Sequence, residues 1–146
     1  MNDRYLFRAK RIDTGEWYIG NLVDCPDGRN VIAEVGGNWA LHEVDPSTIC
    51  QCTGLKDKNG NMVFENDIMV GYLDDIFQDN ATYAMVIWHN NGFCTHQIHC
   101  DDYELIDEFD QNHFTVCGNI FDNPYLFGRN DRRYGRLLER SDRTLQ

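Results

Sequence analysis

Apolar and polar residues alternate with a period of two along most of this chain, the pattern of strands with one buried face. Over residues 5–12, Leu6, Arg8 and Lys10 share one face, and Tyr5, Phe7 and Ala9 share the other. Asp13-Thr14-Gly15-Glu16 reads as a turn, and residues 17–23 return as the second strand of a hairpin. Pro26-Asp27-Gly28 is another turn. Residues 31–35 and 39–44 flank Gly36-Gly37-Asn38 and predict a second hairpin. Asp45-Pro46-Ser47 breaks the chain before an extended piece over 48–55. Asp57-Lys58-Asn59-Gly60-Asn61 is the strongest turn signal, because Asn-Gly tolerates positive φ at both central positions.

Residues 67–73 read as a strand, and the acidic stretch 74–80 as a loop. Residues 82–89 are rich in β-formers. They turn at Asn90-Asn91-Gly92 and return over 93–99. Tyr103, Ile106 and Phe109 would share one face of a short helix over 101–109. Residues 114–121 are the last strand, and Asp122-Asn123-Pro124 opens a turn or short helix.

Many short strands at turn spacing predict a mainly β, antiparallel fold: a partly open β-barrel or curled sheet with one or two short helices. No internal repeat is visible. The only shift in composition comes at Gly128, which divides the chain into a β domain over 1–127 and a basic C-terminal extension over 128–146. Tyr134, Leu137 and Leu138 would give that extension a helical stripe, which Gly135 weakens by about 1 kcal/mol. A frayed helix or disorder is the expectation there.

The 146 residues suffice for one ordinary core, and 42% hydrophobic with 12% aromatic residues is a globular composition. No apolar run approaches the roughly 20 residues that span a bilayer, and no apolar stretch follows Met1-Asn2-Asp3-Arg4. A bacterial cytosol is the expected location, with no membrane partner. In that reducing setting the six cysteines are expected to be free thiols.

The net charge of −11 is unevenly placed. Arg129, Arg132, Arg133, Arg136, Arg140 and Arg143 outweigh Asp131, Glu139 and Asp142, so the extension is +3 and residues 1–127 carry −14. Such a body repels duplex nucleic acid, whose affinity rests on phosphate neutralisation, and suits a basic protein surface.

Candidate chemistry is sparse. Cys94-Thr95-His96-Gln97-Ile98-His99-Cys100 invites a zinc reading, but positions 94 and 100 stand about 20 Å apart on an extended strand, so no metal site is assigned. No phosphate-binding loop, nucleophile elbow, zinc-protease or dinucleotide motif occurs, and neither an enzyme nor a cofactor is expected. Glu65 and Asp67 read as caps of the turn before a strand. Lys56 and Lys58 are cations in an acidic body, and Gln51 and Thr53 add neutral hydrogen bonds. Arg8, Lys10, Trp17 and Tyr18 add charge and stacking surface, which together with them makes a candidate ligand-binding set. Trp17 and Tyr18 are adjacent on one strand, so they face opposite ways and at least one belongs to the core. Arg129, Arg132, Arg133 and Arg136 are candidate partner-binding residues.

Several segments resemble the YopX-like proteins of phages and prophages. They are Phe7-Arg8-Ala9 with Thr14-Gly15-Glu16-Trp17-Tyr18-Ile19-Gly20, and Val44-Asp45-Pro46-Ser47-Thr48-Ile49 leading into Gln51-Cys52-Thr53-Gly54-Leu55-Lys56-Asp57-Lys58-Asn59-Gly60. Phe64-Glu65-Asn66-Asp67-Ile68, Val86-Ile87-Trp88 with Gly92-Phe93, and residues 116–124 continue the likeness, which covers about residues 4 to 127. It departs where Asn66 stands for the family's usual Gly and Cys52 for its usual aromatic. The resemblance implies a small β-rich protein, a homo-oligomer, with no assigned activity. The expected function is a non-catalytic phage or prophage accessory protein that binds and modulates a host protein. The alternatives are a sponge for a nucleotide-like small molecule in counter-defence and, against the charge argument, a nucleic-acid-binding module.

Overall fold

The computed structural model describes residues 3–36, 38–72, 81–97 and 102–127. These form an antiparallel, mainly β fold of two sheets. The chain divides into two compact units, Met1–Gly54 and Leu55–Gln146. The expected loop over 74–80 and the basic extension over 128–146 lie outside the described residues.

The first unit holds β1 (Phe7–Lys10), β2 (Trp17–Asp24), β3 (Asn30–Glu34), β4 (Leu41–Glu43) and most of β5 (Cys50–Lys56). Their order is β4-β3-β2-β1-β5, with β6 (Met62–Phe64) beside β5. The register sets which residues share a face. Ala9 pairs with Tyr18, Leu22 with Ile32, and Ile32 with His42. That face is the inside: Ala9, Ile32 and Val44 are buried together, with Phe7, Tyr18, Leu22 and Ile49 packed on them. Burying a full set of such side chains stabilises by about 1.5–3 kcal/mol each. Gly20 is required by close approach, since a Cβ there would collide with the backbone carbonyl of Ala33.

The sheet curls without closing into a barrel. The end of β1 meets the end of β4 through one isolated bridge, Arg11 to Val44, and the N–H of Ile12 donates to the carbonyl of Glu43 at 3.0 Å. Asp45 then caps a single 3-10 turn, Pro46–Thr48, by accepting from the N–H of Ser47 at 3.0 Å. The expected chain break at 45–47 is therefore a capped turn that redirects the chain into β5.

The second unit contains β7 (Asp67–Tyr72), β8 (Ala81–His89), β9 (Gly92–Gln97), β10 (Glu104–Leu105) and β11 (Phe114–Asn119), in the order β10-β9-β8-β7-β11. Val63, Met69, Val86 and Phe114 form its core, with Phe93, Ile106 and Val116 packed against it. The short helix expected over 101–109 is displaced. Residues 104–105 pair with β9 instead, and α1 is Glu108–His113. Asp107 decides the start: its carboxylate accepts from the N–H of Asp110 at 2.9 Å, and Asp110 reciprocates to the N–H of Asp107 at 3.1 Å. This capping box outweighs the apolar spacing of Tyr103, Ile106 and Phe109.

Candidate functional site

The candidate ligand set divides between the two units. Arg8, Lys10 and Trp17 share the face of β1 and β2 opposite to Ala9 and Tyr18, with Lys10 directly opposite Trp17. The Arg8 guanidinium lies 4.9 Å from the Trp17 ring centroid and the Lys10 ammonium 5.3 Å, so this indole already carries two cations of its own chain. Tyr18 faces the interior and stacks on His42. Gln51 is half-buried, and its side-chain amide donates to the carbonyl of Arg4 at 3.0 Å. Thr53 is buried. Lys56 and Lys58 are exposed in the second unit. Arg129, Arg132, Arg133 and Arg136 lie outside the described residues.

Several of the segments that carry the family likeness are turns closed by side-chain carboxylates and amides. Asp57 is buried, and its carboxylate accepts from the N–H groups of Asn59 at 2.9 Å, Asn61 at 2.8 Å and Val116 at 2.9 Å. Burial opposes its charge, but the donors at Val116, Asn61 and Asn59 outweigh that and hold the carboxyl below its ordinary range. The turn differs from the expected one, because only Gly60 has positive φ, +83°, while Asn59 does not. The Asp57 side chain supplies the closure that a positive φ at Asn59 would otherwise supply. Asn66 sits at φ 71°, a left-handed conformation that Asn tolerates. Asp67 is buried and caps the preceding turn by accepting from the N–H of Phe64 at 2.7 Å. Near the end, Asn119 accepts from the N–H groups of Phe121 and Asp122, both at 2.9 Å.

Cys94 and His96 are buried on β9, while His99 and Cys100 lie outside the described residues. Among the described residues, no three His, Cys, Asp or Glu side chains converge on a point that suits a metal ion. Cys25, Cys50, Cys52, Cys94 and Cys117 are free thiols.

The expected hairpin of β3 and β4 is present, and the feature that sequence reasoning missed is the exposed apolar surface it carries. The hairpin turn holds both Asn38 and Trp39 at φ 58°, a left-handed conformation that a bulky aromatic side chain rarely adopts. Trp39 is also 66% exposed, and Leu41 beside it is 68% exposed. Leu41 pairs with Ala33, Ala33 with Asn21, and Val23 with Val31, so these side chains share the face of three strands opposite to Ile32; Leu41 and Val23 are exposed on it and Val31 is buried. Exposed Val23 and Val35 extend the surface. The alternation put apolar residues on both faces of β2 and β3, and that was the available signal.

Beneath the hairpin lies a polar cluster. Nη1 of Arg11 contacts Nδ1 of His42 at 2.9 Å, and Nε2 of His42 contacts Oε2 of Glu34 at 2.9 Å. Arginine cannot accept, so Nδ1 accepts and Nε2 carries the hydrogen that Glu34 receives. The His42 ring is buried and stacks on Tyr18 with centroids 3.6 Å apart. Nε of Arg11 donates to Asp13 at 2.6 Å, and the Tyr18 hydroxyl donates to Glu16 at 3.0 Å. The bond to Asp13 raises the pKa of Arg11 and lowers that of Asp13.

A family model described as "YopX protein" matches residues 6–128. Among solved structures, the crystal structure of protein EF1440 from Enterococcus faecalis superposes with a TM-score of 0.52 at 23% identity. The match covers 83% of this chain and 96% of that one, and at this identity it speaks for the fold alone. No curated protein matches the chain. Among the described residues, no helix is long and apolar enough to cross a membrane.

Proposed function

The chain belongs to the YopX protein family, and from that premise we propose that it is a non-catalytic phage or prophage accessory protein that binds and modulates a host protein. The observation that carries this reading is Trp39, held at positive φ and two-thirds exposed at the tip of a hairpin. An aromatic side chain held at positive φ and two-thirds in water carries a conformational cost that its small burial in the folded chain offsets poorly. Its return comes when a partner buries it, and exposed aromatics are the commonest anchors of protein interfaces. Leu41, Val35 and Val23 supply the apolar surround. The −14 charge of residues 1–127 steers basic partners toward the body.

Two observations favour binding of a protein over the other readings. Trp17, the indole of the candidate ligand set, is engaged by Arg8 and Lys10. The buried His42 has both ring nitrogens engaged, by Arg11 and Glu34, so it is not poised as a general base.

The test is quantitative affinity capture from a host lysate with the wild-type chain and with Trp39→Ala and Leu41→Ala variants. A host protein enriched by the wild type and lost from both variants supports the proposal. Identical capture by all three, or none by any, removes it.

A further inference from the structure

We propose that Arg11, His42 and Glu34 form a proton-operated latch on the β3–β4 hairpin, in which a proton added to Nδ1 of His42 expels the Arg11 guanidinium. The inference goes beyond the binding proposal and does not rest on it.

The latch joins three elements. Arg11 follows β1, Glu34 ends β3, and His42 is the middle residue of β4. Two side-chain hydrogen bonds, each 2.9 Å, run from Arg11 through the imidazole to Glu34. This chain has one stable direction. Arg11 is only a donor, so the arrangement requires an unprotonated Nδ1.

The added proton reverses the first contact and strengthens the second. Nδ1–H and Nη1–H then point at each other between two cations, and the hydrogen bond becomes a repulsion. At Nε2 the bond to Glu34 becomes an ion pair. The Tyr18 ring, stacked 3.6 Å from the imidazole, gives the new cation a π face. The groups facing His42 from the packed elements are therefore Tyr18 from β2, Glu34 from β3 and Arg11 from the end of β1, with Glu16 and Asp13 behind them. The Glu34 carboxylate and the Tyr18 ring hold the imidazolium in place. The guanidinium is the group that leaves, and it is free to do so: its side chain is 35% exposed and already bonded to Asp13 on the outer side.

Release removes the side-chain tie between the end of β1 and the hairpin. The Arg11–Val44 bridge and the Ile12 to Glu43 bond remain as backbone ties. Protonation therefore loosens the hairpin without dissolving the sheet.

The test is NMR on the full chain, labelled with 15N. At about pH 8, long-range correlations assign the His42 tautomer, and the sample is then titrated toward about pH 5, across the ordinary range of histidine ionisation. Arg29, paired with Asp27 at 2.7 Å on the exposed surface, is the internal reference for arginine Nη–H exchange. The expected result is the Nε2–H tautomer at the start. As His42 gains its proton, exchange of the Arg11 Nη–H protons then rises about tenfold relative to Arg29, while Nε–H stays bonded to Asp13. A His42→Gln variant loses that step; if it fails to fold, the wild-type titration alone decides. The Nδ1–H tautomer at high pH overturns the proposal. So does protonation of His42 with no relative change at Arg11, or unfolding before His42 titrates.

Discussion

The backbone N–H of Val116 donates to the carboxylate of Asp57 across 2.9 Å, joining positions separated by 59 residues. One side chain therefore closes its own turn and fixes the strand β11 beside it. The N–H of Lys58 adds a backbone bond to the carbonyl of Phe114 at 2.9 Å in the same place. A turn that looks local in sequence is a tertiary joint.

Replacing Asp57 with Ala leaves the N–H groups of Asn59, Asn61 and Val116 without their acceptor. Hydrogen bonds to a charged group contribute about 1.5–3 kcal/mol, and water reaches part of the site once the carboxylate is gone. The expected loss is about 2–4 kcal/mol, read as a lower urea midpoint with an unchanged slope.

The same residue sets an acid limb. Because the folded carboxyl lies below its ordinary range, its stabilisation is fully present above the unfolded pKa, about 3.9. It is lost as pH falls through the folded value. Stability measured from about pH 6 downward is expected to decline more steeply in the wild type than in Asp57→Asn, which cannot titrate. Parallel curves would show that Asp57 is not responsible.

Asn66 sits at φ 71°, in the left-handed region that favours glycine. Asn66→Gly is expected to change stability by less than about 0.5 kcal/mol, since both residues accept the left-handed region. Asn66→Ala is expected to cost about 1–2 kcal/mol, seen as a fall in Tm by several degrees.

Trp39→Gly separates stability from binding. The variant relieves an aromatic residue at φ 58° and removes a side chain that is 66% exposed. It is expected to be as stable as the wild type or up to about 1 kcal/mol more stable, while losing partner capture. A clear loss of stability would mean that Trp39 holds the hairpin together rather than waiting for a partner.

Local chemistry explains what was readable in advance. Alternation with a period of two placed β1, β2, β3, β4, β8 and β11 close to their observed positions, because a strand with one buried face has no other pattern. The tolerance of Asn for positive φ carried the Asn66 turn. Part of the family likeness was legible because some of its motifs are caps that act within a few positions, as Asp67 does on Phe64 and Asn119 on Phe121 and Asp122.

What the sequence alone settled is the mainly β, antiparallel class and the placing of most turns, since each depends on contacts within a few residues. Tertiary structure decided the rest. It moved the helix to Glu108–His113, because strand pairing of Glu104 and Leu105 with β9 and the Asp107 cap outweighed apolar spacing. It put Trp17 and Tyr18 to separate uses, one under its own cations and one against His42. It brought Arg11 to His42 across 31 positions and His42 to Glu34 across 8. No periodicity encodes such a meeting, because it depends on strand register and on the curl that joins β1 to β4, and both are properties of the assembled sheet.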